Sequence, residues 1–158
     1  MSGRVLLTAD SRPAVLYTFH PAVTQLFQLW QVFLNNVDPI VKLFHAPSVQ
    51  RMVLEAASDL ASISRSTEAL LFTIYLSAIT SMDEESCQRV LYRSKSDLVV
   101  RFSKAAEQAL VNADFLRSTN IVVLEALTLY LVSPSHARPK YGSRFSLGNI
   151  TIQPSAPY

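Results

Sequence analysis

HPAVTQLFQLWQVFLNNVDPIVKLFHAPSVQ, His20 to Gln50, is the stretch whose reading decides the fold. Val23, Leu26, Phe27, Trp30, Phe33, Leu34 and Val37 recur at three- and four-residue spacing. That period predicts one wide apolar helical face. Pro21 suits a first helical turn, where its missing N–H would be unpaired anyway. The opposite face, Thr24, Gln25, Gln28, Gln31 and Asn35, is polar but uncharged, which fits a helix placed between other helices. Asp38-Pro39 ends the pattern, because a residue before proline is pushed out of the α region. A turn over Ile40–Phe44 is expected next. His45-Ala46-Pro47-Ser48 then opens a second helix, with Val49, Met52, Val53 and Ala56 on its inner side.

Outward from this stretch the helical reading continues. Ser64 or Ser66 is expected to cap a third helix, with Glu68 in its positive first turn. Its run Ala69–Met82 is apolar nearly all round, so the helix should be central. At 14 uncharged residues it falls short of the roughly 20 needed to cross a bilayer. Ser81-Met82-Asp83-Glu84 and Ser94-Lys95-Ser96-Asp97 both resemble capping boxes. The second precedes an amphipathic helix with Leu98, Phe102, Ala105 and Ala109 inside, ending at Asn112-Ala113-Asp114. Ser118 or Thr119 is expected to cap the last helix, NIVVLEALTLYLV.

These elements define an all-α fold, an irregular bundle of about six helices. Residues 1–19 read as a loose lead-in with turn signals at Asp10-Ser11 and Pro13. Residues 20–133 read as the helical domain and 134–158 as a disordered or irregular tail. That tail holds four of the eight prolines and two of the three glycines. Within it, SLGNITI has strand character but no evident partner.

Composition narrows function by exclusion. Hydrophobic residues make up 49% and charged residues 16%, enough for a core and too little charge for a disordered chain. Residues 1–133 hold 11 Lys and Arg against 12 Asp and Glu, while Arg138, Lys140 and Arg144 give the tail its basic character. No basic face for nucleic acid is visible in the body. One cysteine, Cys87, allows no internal disulfide and no zinc cluster. The N-terminus has no apolar core of a signal peptide, so an intracellular, soluble chain without a membrane span is expected.

Few residues suggest chemistry. His20 and His45 beside prolines, together with Asp38, would make a metal site or an acid–base couple only if the fold joined them. Their spacing matches no ligand motif, and helix-end histidines commonly bond backbone or a dipole. Cys87 with His45 would make a nucleophile and base, yet Asp83, Glu84 and Glu85 just ahead of Cys87 should raise its pKa. Asp83-Glu84-Glu85 itself reads as helix-start acids. Trp30, Phe72 and Tyr75 would frame a small-molecule pocket between helices, although aromatics at helical spacing are more often core. No catalytic residue, cofactor or metal is expected, and the chain is read as not an enzyme.

The same residues carry a family resemblance. An H-P opening at His20-Pro21, L-W-x-x-F-x-x-N-V-x-P over Leu29–Pro39 and H-x-P-[ST]-x-Q over His45–Gln50 occur in this order. This resembles the fungal-specific transcription factor domain, the middle homology region of zinc-cluster (two-zinc, six-cysteine) fungal regulators. The resemblance extends through LEAASDLASISRSTEALLFTIYLSAITSMDEESC and VVRFSKAAEQALVNADFLRSTNIVVLEALTLYLV, covering about His20 to Val132. It implies an all-helical regulatory domain in the nucleus, with transcription regulators or transcription machinery as partners. It also implies control of a metabolic or secondary-metabolite gene cluster. It transfers no site residue.

The chain departs from the family in two ways. One cysteine cannot supply six thiolates, so direct sequence-specific DNA binding by that module is not expected of this chain. The resemblance also stops after Val132, as in a truncated regulator. On that reading, helices 69–82 and 120–132 should leave apolar surface exposed and favour a homo- or hetero-oligomer. A helical small-molecule-binding module and a nonfunctional remnant of a full-length regulator stand as alternatives.

Overall fold

The computed structural model describes residues 12–133, 145–147 and 150–152, with side chains described for residues 16–133. The described part contains eight α-helices: α1 Arg12–Phe19, α2 Val23–Asn36, α3 Asp38–Val41, α4 Ala46–Ser58, α5 Arg65–Ser81, α6 Glu84–Leu91, α7 Lys95–Asn112 and α8 Ile121–Val132. A 3-10 turn, Leu60–Ser62, follows α4. The fold is all-α, as the periodicity requires.

Helix α5 is the axis. Every residue from Ala69 to Thr80 is buried, and α7, α8 and α2 pack around it. Its three buried Thr and Ser hydroxyls need partners, since an unpaired buried polar group is costly. Thr73 donates to the Leu70 carbonyl, Ser77 to Thr73 and Thr80 to Ser77, so each is satisfied within the helix. The expectation that 69–82 would leave apolar surface exposed is therefore corrected: α7, α8 and α2 together enclose this helix. Its start is capped by Ser64, whose hydroxyl accepts from the Thr67 N–H at 3.1 Å.

Helix α2 buries Leu26, Leu29, Trp30 and Phe33. Thr24, Gln28, Gln31 and Asn35 face solvent, so α2 is a surface helix rather than one held between others. It begins at Val23, with Gln25 accepting from the Ala22 N–H at 3.1 Å. Asp38-Pro39 does end it. The next residues form the single turn α3 rather than a loop, with Pro39 in its first turn and Lys42 left-handed at φ 44°.

Residues 12–19, read from sequence as part of a loose lead-in, form α1. Pro13 lies in its first turn, so the feature taken for a break marks a start. Leu16 is buried, and the Arg101 guanidinium sits 4.2 Å from the Phe19 ring centroid, fastening α1 to α7. Residues 1–11 lie outside the described residues.

Two caps differ from expectation. Helix α6 starts on Asp83, which accepts from the Ser86 N–H at 2.7 Å, not on Ser81; the Ser81 hydroxyl donates back to the Ala78 carbonyl of α5. Helix α8 starts on Asn120, which accepts from the Val122 N–H at 2.9 Å, while Ser118 accepts from the Asn120 N–H. Ser94 caps α7 as its pattern indicates.

In the tail, ITI does find a strand partner. Phe145–Leu147 and Ile150–Ile152 pair antiparallel, with Phe145 opposite Ile152 and Leu147 opposite Ile150. The rest of 134–158, where an irregular or disordered tail was expected, lies outside the described residues.

Candidate functional site

The described part brings together one buried polar cluster. His20 stands between α1 and α2, ahead of Pro21, with its side chain only 1% exposed. Its Nε2 lies 3.2 Å from Glu68 Oε2 and its Nδ1 lies 3.2 Å from the Tyr75 hydroxyl. The network is complete when Nε2 donates to the carboxylate and Nδ1 accepts from the phenol. Burial and the Glu68 charge push the Tyr75 hydroxyl far above its ordinary pKa, so it stays a protonated donor. The His20 ring also lies 4.5 Å from Phe72, and Phe72 and Tyr75 both meet Phe102 of α7. Chemically this is a clamp. It ties the junction before α2 onto α5 and presents no nucleophile to solvent.

The other candidates stay apart. His45 Nδ1 bonds Ser48 Oγ at 3.0 Å across the start of α4, so the histidines serve different junctions and form no couple with Asp38. Among the described residues no group of three or more His, Cys, Asp or Glu could hold a metal ion. Cys87 is fully buried, and its Sγ points at the Ile79 carbonyl, 3.9 Å away. Burial raises its pKa most. Lys95 opposes that shift, and Glu84 and Asp83 add to it. Of the three acids named from sequence, Glu84 and Asp83 act in the expected direction but are secondary to burial.

Trp30, Phe72 and Tyr75 are all core residues. Phe72 and Tyr75 belong to the cluster around His20. Trp30 belongs to a different stack, 5.7 Å from Phe33, which in turn lies 5.5 Å from Phe44. The Trp30 indole N–H and one Asp38 carboxylate oxygen are buried without a hydrogen-bond partner.

Three cavities lined by described residues lie elsewhere. An apolar cleft of about 160 Å³ lies where α2, α3, α5 and α8 end, between Val37, Ile40, Thr80, Leu129 and Val132. A polar one of about 310 Å³ separates α4 from the start of α5, beside Glu55, Asp59, Ser62 and Thr67. A third, about 140 Å³, adjoins Tyr17, Arg65 and Glu68. Trp30, Phe72 and Tyr75 line none of these three.

The most conspicuous outer surface belongs to α8. Val123, Ala126, Leu129 and Tyr130 pack inward, and the Tyr130 hydroxyl donates to Glu107 of α7 at 2.6 Å. Outward, Ile121 is 63% exposed, Leu124 56% and Val132 54%. This part of the expected apolar exposure is present. Periodicity could not reveal it, because the helix is apolar on every side and carries no amphipathic signal. No helix of the described residues is long and apolar enough to cross a membrane.

The class of protein follows: an all-helical domain whose described residues assemble a structural clamp and outward apolar surface, with no catalytic constellation among them. Comparison with known proteins supplies the family. The chain is 43% identical over 131 residues to the aurofusarin cluster transcription factor aurR2 of Gibberella zeae, a match covering 83% of this chain and 20% of that protein. It is 41% identical over 114 residues to the transcriptional regulator AacuB of Aspergillus aculeatus, covering 72% and 16%. It is 36% identical over 108 residues to the C6 finger domain transcription factor adaR of Aspergillus niger, covering 67% and 14%. No protein-family model and no solved structure matches the chain. The chain is a homologue of fungal C6-finger transcription factors, with two relatives named for biosynthetic clusters, and spans a fifth or less of the length of the three relatives above. These relatives are named as transcription factors, not as enzymes.

Proposed function

We propose that this chain is a regulatory segment in the transcriptional control of a fungal secondary-metabolite gene cluster. It acts in the nucleus through protein contacts with a transcription regulator or the transcription machinery. The observation that carries this reading is the similarity to fungal transcription factors over 67–83% of the chain, among them one named for the aurofusarin cluster and one for a pyriculol/pyriculariol biosynthesis cluster. Supporting it, the buried polar groups are spent on holding helices together, while apolar surface is left outside on α8. The chain as given holds one cysteine, so any sequence-specific DNA contact through a six-cysteine cluster would come from a partner or from sequence beyond it. The apolar cleft of about 160 Å³ is smaller than the roughly 300–1,000 Å³ of sites for drug-sized ligands, and the polar cavity of about 310 Å³ only reaches the lower end of that range; Trp30, Phe72 and Tyr75 line neither.

The test expresses the tagged chain in a fungus that carries an active biosynthetic cluster. The expected result is nuclear signal, co-purification of a named zinc-cluster regulator and a several-fold change in cluster transcripts. Unchanged transcripts together with an exclusively cytoplasmic signal would overturn the reading.

A further inference from the structure

Arg65 and Glu68 stand three residues apart in the first turn of α5. Opposite charges at that spacing on a helix ordinarily pair. Here they do not. Among the described residues Glu68 pairs only with His20, and Arg65 meets no carboxylate. Arg65 instead reaches α7, where its Nη1 donates to the Asn112 carbonyl at 3.4 Å. Glu68 takes the His20 Nε2 with one oxygen, Oε2. No hydrogen bond among the described residues uses its other oxygen, Oε1. The fold thus holds two opposite charges apart by giving each a different anchor.

Both side chains line the cavity of about 140 Å³, with Tyr17 of α1, Asn112 of α7 and the apolar Leu60 and Ile63. The Glu68 side chain is only 13% exposed, whereas Arg65 lies at the exposed rim. The cavity therefore carries a shielded carboxylate inside and a guanidinium at its mouth. The larger polar cavity beside α4 has Glu55 and Asp59 but no base in its lining, so it lacks the second half of this arrangement.

We propose that this cavity binds a small zwitterion, a free amino acid no larger than alanine, with its ammonium on Glu68 Oε1 and its carboxylate on the Arg65 guanidinium. Charge selects this class. A simple anion meets Glu68 and a simple cation meets Arg65, whereas a zwitterion satisfies both. A guanidinium matches a carboxylate with two parallel N–H donors. The shielding of Glu68 strengthens its attraction for an ammonium, because the effective dielectric there is lower than in water. Size agrees. The cavity holds about five waters at roughly 30 Å³ each, the space of five or six non-hydrogen atoms. Leu60 and Ile63 suit a hydrogen or a methyl as the side chain. A bound zwitterion would complete the pairing that Arg65 and Glu68 do not make with each other.

Titration of the full chain with glycine and L-alanine, followed by calorimetry and by NMR of the arginine side-chain N–H groups, tests this. The expected result is saturable binding in the millimolar range or tighter, with the Arg65 Nε–H among the resonances that shift. Acetate and methylamine, each with one of the two charges, should bind about tenfold more weakly or worse. L-Tryptophan, too large for the cavity, should not compete. Arg65→Gln should weaken L-alanine binding about tenfold or more. Ala61→Phe, which enlarges an exposed lining residue, should abolish it. No saturable binding of either amino acid, equal binding of acetate or methylamine, competition by L-tryptophan, or undiminished binding in either variant would overturn the proposal.

Discussion

His20 meets Glu68, Phe72 and Tyr75 of α5 at once. Its two ring nitrogens are both used, on Glu68 and on Tyr75. Replacing it with alanine leaves a nearly buried carboxylate and a buried hydroxyl without their partner. Such losses cost more than the bond itself contributes, and we expect His20→Ala to lower stability by about 2–3 kcal/mol in urea unfolding. A loss within error would mean that water replaces the imidazole. Tyr92 offers the opposite case: it ends α6 at φ 59° and is 78% exposed, so it adopts a left-handed backbone with almost no packing in return. Tyr92→Gly relieves about 1–2 kcal/mol of steric cost against about 0.5–1 kcal/mol of added chain entropy. A higher denaturant midpoint is the expected outcome. Cys87 should be inert. Its raised pKa leaves less thiolate at any given pH, and the core shields it. Alkylation at pH 8 should run at least tenfold slower in the native chain than in urea, and equal rates would contradict the burial.

The helix ends separate what a sequence pattern can locate from what it cannot. Ser94 caps α7 as its pattern indicates, and of the two serines the pattern offers for α5, Ser64 takes the cap; each helix has an acid within its first turn. At α6 two polar residues and at α8 three, Ser118, Thr119 and Asn120, compete within a short window, and the pattern does not name the one that caps. Asp83 rather than Ser81 takes α6, because Ser81 still belongs to α5 and bonds its backbone. Asn120 takes α8, and Ser118 supports it one step earlier. Asn120→Ala should therefore cost about 1 kcal/mol by thermal or urea unfolding, and Ser118→Ala less than that. If Ser118→Ala proved the more damaging, the assignment of the cap would be reversed.

At the scale of the molecule, α5 makes the bundle one cooperative unit. Phe72 shows this best. It meets His20, Tyr75 and Phe102, so it joins the start of the chain to α7 through α5. Truncating a fully buried aromatic leaves a cavity in a close-packed interior, and Phe72→Ala should cost about 3–5 kcal/mol. The whole bundle should then unfold in a single transition at lower denaturant. Separate melting of α1 and α2 would mean that the clamp around His20 is not coupled to the core.

Much of this architecture is legible in the order of residues. Helical spacing marks six of the eight described α-helices, the enclosed nature of 69–80 follows from its lack of any charged residue, and the motifs between His20 and Gln50 point to the family. Those properties are local, set by side-chain period and backbone sterics within one or two turns. Helices α1 and α3 were missed because proline reads equally as a stop and as a first turn, and only packing of Leu16 and Phe19 against the bundle chooses for α1. The site was less legible. Nothing local links His20 to Glu68 and Tyr75, 48 and 55 residues away. Nor does a helix apolar all round, such as α8, announce which side it buries. Those choices belong to the tertiary structure alone, because a contact across the fold is decided by which surfaces compete for α5, and that competition exists only once the helices are assembled.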